Sequence, residues 1–305
     1  MTAPAPESLA HPDSSLWSSL DFAAKVRWRM LYDRNPLHPL LLDKVYVKEF
    51  AAERGVESAR SIHITADPDT IPLGDLPGTC FLKANHASAW NYLHHEGWWY
   101  FFGYGAKLLR SDGTLVPEEQ RCQFRLTEAR LLEYCREMLV TRYSTLEWAY
   151  HQISPKIIIE ERLVPKDGKE LMDYRLFTFD GKVRAISVGS PTYRRKEWNV
   201  FLTTDWEVIP LSSYSEALPD RLPEKPFLLQ EMLEAASRLG EGIDFVRIDL
   251  YETAEGIRLG EMTLYPEGGD RNTPTSCARF NHLLGSFWRA PDFFSGSSAS
   301  GLGTP

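Results

Sequence analysis

The clearest chemical pattern in the sequence lies between residues 244 and 269, where acidic and basic side chains alternate with apolar ones. This segment reads as two β-strands joined by a short turn. If the turn is centred on Glu255, Asp249 lies directly opposite Glu261. Directly opposed side chains have Cβ atoms ~5 Å apart, and like charges there are destabilising. The two carboxylates therefore need a shared proton or a cation, and they suit Mg²⁺, which completes its coordination with waters and phosphate oxygens.

The two faces of this hairpin differ in character because side chains alternate across a strand. One face is apolar or glycine and is expected to be core: Val246, Ile248, Leu250, Gly260, Met262 and Leu264. The other face carries the polar set: Arg247, Asp249, Tyr251, Glu261 and Thr263. An alternative stays open, in which this face is exposed and Arg247 or Arg258 neutralises the carboxylates. A turn shifted by one residue would also remove the pairing.

Three further positions suit a nucleotide. Lys83 ends an apolar strand, and the small polar loop 85–91 that follows offers backbone N–H groups to phosphates. Lys44 begins a helix, where the N-terminus favours anions. An apolar strand over 157–159 ends in two acceptors: Glu160 and Glu161. Each position also has an ordinary interpretation, since such lysines are usually solvated and such a strand usually just leaves the core.

Composition excludes several classes of function. The 305 residues are 43% hydrophobic and 25% charged, as in ordinary soluble globular proteins. The net charge of −8 argues against non-specific nucleic-acid binding, which needs a basic stripe. No apolar run approaches the ~20 residues of a membrane span, and the N-terminus lacks the basic and apolar regions of a secretory signal. The four cysteines show no CxxC spacing, so we expect reduced thiols and a cytoplasmic protein.

Familiar catalytic signatures are also missing from the sequence. It contains no GxSxG, GxGxxG or GxxxxGK[ST] motif, which removes the usual fingerprints of serine hydrolases, Rossmann domains and P-loops. His86, His94 and His95 lack the i, i+4 spacing of a helical zinc site.

The order of predicted elements indicates an α+β fold. Helices are expected over 15–33, 43–55, 127–141 and 227–239, and short strands over 61–66 and 79–84. The second half is rich in strand-like segments with few helices between them, and Asp180-Gly181 marks a hairpin turn. We therefore expect two largely antiparallel sheets in two subdomains.

Five segments, in this order, resemble the TupA-like ATP-grasp family, which is named for teichuronopeptide biosynthesis: DKVYVKEFAAERG, FLKANHASAWN, ISPKIIIEERL, DYRLFTFDGKVRAI and FVRIDLYETAEGIRLGEMTLYP. The resemblance runs from about residue 43 to residue 266. It extends more distantly to D-alanine–D-alanine ligase and other ATP-grasp carboxylate–amine ligases. It implies the ATP-grasp fold, in which two α+β subdomains clamp ATP between their sheets, with ATP and Mg²⁺ as cofactors.

The resemblance also implies roles for individual residues. It places the phosphates against two lysines and a closing loop, the adenine against the linker 160–163, and the ribose against Asp173. The implied ATP-binding set is Lys44, Lys83, Asn85, His86, Ser88, Glu160, Glu161, Arg162, Leu163 and Asp173. The implied metal ligands are Asp249, Glu261 and Thr263. Arg247 would face the acyl-phosphate, and Arg247 and Lys83 form the implied catalytic pair.

Two positions depart from the family pattern. Thr263 stands where many members have Asn, and Thr is a weaker neutral ligand. The loop NHASAWN is poorer in glycine than the NHGSGYN-like form.

The chain divides in this interpretation into a disordered N-terminus over 1–15, a first subdomain with the N-terminal helices over 16–155, a second subdomain with the hairpin over 156–294, and a disordered tail over 295–305. Candidates for binding an anionic substrate are Arg184, Arg195 and Arg271, although the loop at 194–196 also fits a solvated segment.

The function expected is an ATP- and Mg²⁺-dependent carboxylate–amine ligase that forms an amide through an acyl-phosphate. Its partners would be a small-molecule or glycan carboxylate and an amine such as an amino acid, in cell-surface polysaccharide or peptide-like metabolite biosynthesis. Two alternatives are a kinase of a sugar or hydroxyl substrate, and a non-catalytic relative that binds a nucleotide or a glycan.

Overall fold

A computed structural model describes residues 14–102, 108, 114–166, 171–189, 199–210, 222–270 and 278–289. The helices of these segments are α1 (Ser14–Ser19), α2 (Phe22–Tyr32), α3 (Leu37–Leu42), α4 (Tyr46–Glu53), α5 (Glu118–Arg121), α6 (Glu128–Val140), α7 (Leu229–Leu239) and α8 (Ala278–Phe287). The strands are β1 (Ser61–Thr65), β2 (Thr79–Ala84), β3 (Asn91–His95), β4 (Trp98–Phe101), β5 (Arg125–Leu126), β6 (Ile157–Glu161), β7 (Tyr174–Phe179), β8 (Lys182–Gly189), β9 (Asn199–Leu202), β10 (Val246–Thr253) and β11 (Gly256–Thr263). Short 3₁₀ turns lie at Pro68–Thr70, Cys122–Phe124, Trp148–Gln152 and Pro266–Gly269.

The strands form two antiparallel sheets, which confirms the predicted α+β architecture. The first sheet has the order β1-β6-β2-β3-β4-β5, and the second has the order β11-β10-β7-β8-β9. In the first sheet, β2 alternates between buried and half-buried side chains, so that Cys80, Leu82 and Ala84 face the core beneath α6. Helix α6 begins where Thr127 Oγ1 accepts a hydrogen bond from Arg130 N at 3.2 Å, as its sequence predicts.

The second sheet contains the hairpin turn that the sequence predicts between β7 and β8. Asp180 and Gly181 both have left-handed backbone angles, with φ of 47° and 69°. A two-residue turn of this hand matches the natural twist of the two strands. The inner face of the sheet packs against α7, whose Met232, Ala236 and Leu239 are fully buried.

The N-terminal helices pack on the second sheet, which differs from the expected assignment of these helices to the first subdomain. The expected single helix is two helices, because Asp21 caps α2 by accepting a hydrogen bond from Ala24 N at 2.7 Å. Trp17 Nε1 donates to Trp288 O at 2.9 Å, and the ring of Phe22 lies 4.9 Å from that of Phe245. These aromatic rings are buried beside Phe245, just before β10, and Trp288, just after α8, so they belong to the core of the second sheet.

The boundary between the subdomains also differs from the expected position at 155. Strand β6 lies inside the first sheet, between β1 and β2, because its three isoleucines Ile157, Ile158 and Ile159 are completely buried there. The chain changes sheets after Glu161, where the segment 162–166 runs to the tip of the β10–β11 hairpin and Ala254 N donates to Val164 O at 3.0 Å.

The expected disordered ends lie mostly outside the described residues. Positions 14 and 15 are an exception, because α1 begins at Ser14 rather than after residue 15. In the part of the chain that is described, no helix is long and apolar enough to cross a membrane.

Candidate active site

The β10–β11 hairpin brings the predicted carboxylates together. Asp249 pairs with Glu261, as the sequence predicts, and Arg247 pairs with Thr263. The turn, however, is not centred on Glu255. Thr253 pairs with Gly256 at the tip, a register that would not by itself place the two acids opposite each other.

A β-bulge between Asp249 and Leu250 restores the predicted pairing. Leu250 pairs with Leu259, so Gly260 is the extra residue on β11. Gly260 was expected on the core face, but it is exposed, and the buried Leu259 takes the core position instead. A Cβ on Gly260 would stand 2.5 Å from Tyr251 Cε2, which explains why glycine occupies the bulge.

Arg247 holds the oxygens of all three predicted metal ligands. Its Nε and Nη2 atoms donate to the two Asp249 oxygens at 2.7 Å and 2.6 Å. Nη2 also donates to Glu261 Oε1 at 3.0 Å and to Thr263 Oγ1 at 3.3 Å. A single cationic nitrogen thus stands where one Mg²⁺ could contact the same oxygens. Two carboxylates and a hydroxyl fit a Mg²⁺ ion that draws its remaining ligands from phosphates and waters. Among the described residues, no group of three or more His, Cys, Asp or Glu side chains forms a metal cage.

The two acids differ in their electrostatic surroundings. Asp249 is 3% exposed, and burial together with the Asp173 and Glu261 carboxylates raises its pKa to about 7 against the opposing pull of Arg247. Burial also opposes the charge on Glu261, but Lys44 and Arg247 outweigh it and lower the pKa of this carboxyl. The ion pair with Asp249 likewise overcomes burial and raises the pKa of Arg247. The cluster therefore keeps Glu261 ionised. An added cation would stabilise the ionised form of Asp249 the most.

Asp173 lies beside this cluster, on the segment that enters β7. Its Oδ2 accepts a hydrogen bond from Arg175 Nη2 at 2.5 Å, and Arg175 pairs with Asp249 across the sheet. The other oxygen, Asp173 Oδ1, is buried without a hydrogen-bond partner among the described residues. Arg175 was not predicted from the sequence, although it stands two residues after Asp173, and side chains two residues apart on an extended chain lie on one face.

Lys83 and Glu160 meet in the first sheet, together with a lysine that the sequence analysis missed. Lys83 Nζ contacts Glu160 Oε1, and Lys48 Nζ donates to Glu160 Oε2 at 2.8 Å. Burial would raise the pKa of Glu160, but Lys83 and Lys48 hold it at about 2. Each carboxylate oxygen of Glu160 already accepts from one lysine, so the expected side-chain contact with adenine would use the remaining lone pairs of the same oxygens. The spacing of Lys44 and Lys48, one helical turn apart, was the available signal for Lys48.

Lys44 is hydrogen-bonded to the loop that follows β2. Its backbone N–H donates to Asn85 O at 3.1 Å, and its Nζ donates to Ala87 O at 2.7 Å. Burial lowers the pKa of Lys44, while Glu261 acts in the opposite direction, followed by Lys83, which lowers it further. Lys44 is thus within electrostatic reach of the second sheet through Glu261 and of the first sheet through Lys83.

The start of the predicted phosphate loop is a fixed part of the core. Asn85 is fully buried, its Nδ2 donates to Asp43 Oδ1 at 3.0 Å, and its Oδ1 accepts from Lys156 N at 2.7 Å. The buried His86 ring lies 3.1 Å from Met138 O. The side chains of Asn85 and His86 thus fix the start of the loop to the core. Further along the loop, Ser88 is half-buried and Ala89 adopts a left-handed φ of 62°. Asn85 and His86, which the resemblance assigns to the closing loop, are therefore held in the core.

The remaining predicted residues divide into three groups. Glu161 Oε1 accepts from Arg60 N at 2.9 Å, and the half-buried Arg162 and Leu163 follow it along the connection to the second sheet. Arg184 is exposed and lies 5.2 Å from the Phe287 ring, towards the opposite end of β7 from Asp173, so the structure does not bring it to the cluster. The other two substrate candidates, Arg195 and Arg271, lie outside the described residues.

Several solved structures share part of this architecture at low identity. The ATP-grasp ligase PsnB with a minimal precursor is 15% identical, with 82% of this chain and 62% of that chain covered at a TM-score of 0.38. D-alanine–D-alanine ligase from Bacillus anthracis is 13% identical, with 82% and 63% covered and a TM-score of 0.40. An L-amino acid ligase from Bacillus licheniformis is 11% identical, with 93% and 59% covered and a TM-score of 0.44. The chain spans less than two thirds of the length of each of these proteins.

No curated protein sequence matches the chain. The model of one family, described as TupA-like ATPgrasp, matches residues 128–288, which is more than half of the chain and includes α6, β6 and the complete second sheet. With its two antiparallel sheets and the acidic hairpin between residues 246 and 263, the chain belongs to the TupA-like ATP-grasp family.

Proposed function

We propose that this protein is an ATP-dependent ligase that joins a carboxylate to an amine through an acyl-phosphate. The observation that carries the proposal is the position of Lys44, which donates to Ala87 O in the loop after β2 and lies within electrostatic reach of Glu261 on the second sheet and of Lys83 on the first. Lys44 and Arg247 thus lie beside the half-buried Glu261, which pairs with the buried Asp249. Such a site suits a triphosphate with a divalent ion, because phosphoryl transfer depends on positioning and on charge stabilisation.

The residues of the site have distinct tasks in this reaction. Lys44 and Lys83 neutralise the phosphate oxygens. When Lys83 binds phosphate, its ion pair with Glu160 opens and Glu160 stays paired with Lys48. Asp249, Glu261 and Thr263 would hold Mg²⁺, which supplies charge neutralisation on the phosphates when it is bound. Arg247 then turns from the metal ligands towards the acyl-phosphate.

The reaction has two chemical steps. A carboxylate oxygen of the first substrate attacks the γ-phosphorus, and the bond to the bridging oxygen of ADP breaks. The neutral amine nitrogen of the second substrate then attacks the acyl carbon, inorganic phosphate leaves with the electrons of the C–O bond, and the nitrogen loses one proton to solvent. The products are an amide, ADP and phosphate.

The family, which is named for teichuronopeptide biosynthesis, supports a proposal for the substrate class. We propose an amino acid as the amine, and a uronic-acid-containing glycan or a peptide-like metabolite as the carboxylate. A cytoplasmic location, where ATP is available, agrees with the free thiols of Cys80, Cys122 and Cys135.

Hydroxylamine provides the decisive experiment. The full chain is incubated with ATP, Mg²⁺ and hydroxylamine, and D-glucuronate and the twenty standard amino acids serve in turn as the carboxylate. An acyl-phosphate is trapped as a coloured hydroxamate, whereas the phosphate ester of a kinase is not. Phosphate transfer to a sugar hydroxyl without hydroxamate would identify a kinase, and Mg²⁺-dependent ATP binding with no turnover would identify a non-catalytic relative.

A further inference from the structure

A carboxyl group without a role in the nucleotide site lies on the segment between α6 and β6. Glu147 is half-buried at the start of the turn Trp148–Gln152, and its side chain forms no capping hydrogen bond there. Its backbone N–H donates to Ser144 Oγ at 3.3 Å, which fixes the main chain at this position. Burial raises the pKa of Glu147 to about 7, and no cation among the described residues counters that effect.

Glu147 lies close to the acidic hairpin formed by β10 and β11. Burial, followed by the Glu261 and Glu147 carboxylates, raises the pKa of the Tyr150 phenol, so this phenol lies within electrostatic reach of both acids. Glu147 Oε1 is also 3.8 Å from the point where a Cβ on Gly268 would stand. Gly268 belongs to the turn Pro266–Gly269, which directly follows the strand that carries Glu261.

Aromatic rings form a continuous wall from the phosphate loop to this position. The Trp90 ring lies 6.1 Å from His86 and 6.1 Å from Tyr143, and the Tyr143 ring lies 5.0 Å from Tyr150. Trp90, Tyr143 and Tyr150 are each half-buried, so part of every ring along this wall remains exposed. Glu147 stands at the far end of the wall from the loop.

We propose that Glu147 binds the ammonium group of the amine substrate and that Tyr143 and Tyr150 line its approach to the acyl-phosphate. The inference rests on the proposed ligase function. A partly buried carboxylate without a cation is stabilised by an incoming positive charge, and a charge-assisted hydrogen bond orients that charge. The ammonium loses one proton to solvent before its nitrogen attacks the acyl carbon, and the nitrogen loses a second proton to solvent as phosphate leaves and the amide forms. Glu147 is a substrate-binding residue for the second half-reaction and has no task in the first.

Two nucleophiles separate this role from a structural one. Hydroxylamine is uncharged near neutral pH and should not need Glu147, whereas an amino acid carries an ammonium group and should. The experiment compares wild type, Glu147→Gln, Glu147→Asp and the control Glu137→Gln, which removes an exposed acid from α6. Each variant is assayed for hydroxamate formation. Each is also assayed for amide formation over a range of concentrations of the amino acid that wild type uses best as the amine.

We expect Glu147→Gln to raise the KM for the amino acid by roughly tenfold or more, which corresponds to the loss of one charge-assisted hydrogen bond. Hydroxamate formation should stay unchanged, Glu147→Asp should recover part of the affinity, and Glu137→Gln should match wild type. The thermal midpoint at pH 8 should not fall, because Gln removes a carboxylate that is costly to bury.

Two results would overturn the inference, and they differ in what else they affect. An unchanged KM for the amino acid in Glu147→Gln, or an equal loss of hydroxamate and amide, would remove the role of Glu147 and leave the ligase function standing. If wild type gave no hydroxamate with any of these carboxylates, the proposed function itself would fail, and this inference with it.

Discussion

Asp249 and Glu261 lie directly opposite each other although the turn of their hairpin closes in a different register. The tip pairs Thr253 with Gly256, and the extra residue Gly260 shifts the register before the acids are reached. A bulge of this kind redirects side chains near functional sites. The pairing of the two acids therefore depends on a glycine that makes no contact with a substrate in our proposal.

Replacing Gly260 tests this dependence. A Cβ there would stand 2.5 Å from Tyr251 Cε2 and 3.2 Å from Asp249 O, so Gly260→Val should displace the ring or shift the strand. We expect a loss of about 1–3 kcal/mol in the free energy of unfolding and weaker Mg²⁺-dependent ATP binding, measured by urea unfolding and calorimetric titration. Gly74→Val is the matched control, because nothing lies within 4 Å of that position. Equal effects of the two substitutions would count against the bulge.

Asp249→Asn tests the carboxylate pair itself. The amide keeps the shape of the side chain but removes a charge that would hold the metal ion beside the triphosphate. We expect a folded protein whose ATP turnover falls by ~10²–10³. Phosphate release and circular dichroism measure the two quantities. Near-normal turnover in a folded variant would remove Asp249 from the metal site.

The Lys83–Glu160–Lys48 cluster should make the stability depend on pH. The pKa of Glu160 is held at about 2, against 4.5 for an unperturbed glutamate. The unfolded chain binds this proton first as the pH falls, so the stabilisation is complete above about pH 4.5 and is lost as the pH approaches 2.

Glu160→Gln isolates this contribution. At pH 7 the variant should be less stable than wild type by about 3 kcal/mol, and the difference should shrink as the pH falls towards 3. Urea unfolding at several pH values measures it. Glu161→Gln is the control, because Glu161 is the next residue at the same strand end, is more exposed than Glu160, and pairs with the exposed Arg60. A pH-independent difference would show that the ion pairs do not set the stability.

Replacing Ala89 tests whether the glycine-poor phosphate loop is strained. Ala89 adopts a φ of 62°, a left-handed conformation that costs a residue with a Cβ about 1 kcal/mol. Ala89→Gly should therefore stabilise the fold by up to about 1 kcal/mol, offset in part by the greater freedom of glycine when unfolded. Thermal unfolding measures the change. Ala52→Gly, at an exposed helical position of α4, should instead destabilise. If both substitutions destabilise equally, Ala89 carries no strain.

The sequence by itself determined the local features. Alternation along 246–263 predicts which side chains share the polar face, and Asp180-Gly181 predicts the β7–β8 turn because only a few residue types tolerate two successive left-handed angles. The order of five short segments indicates the family, which the match over residues 128–288 confirms.

Only the tertiary structure decided the relations between distant segments. The bulge at Gly260, the place of β6 inside the first sheet and the packing of α1 and α2 on the second all depend on which apolar surfaces are buried together. The same holds for Glu160, whose two lysine partners come from other elements, and for Glu147, which approaches the hairpin through Tyr150. Residue spacing determines periodicity within one element, whereas contacts between elements depend on how the whole chain packs.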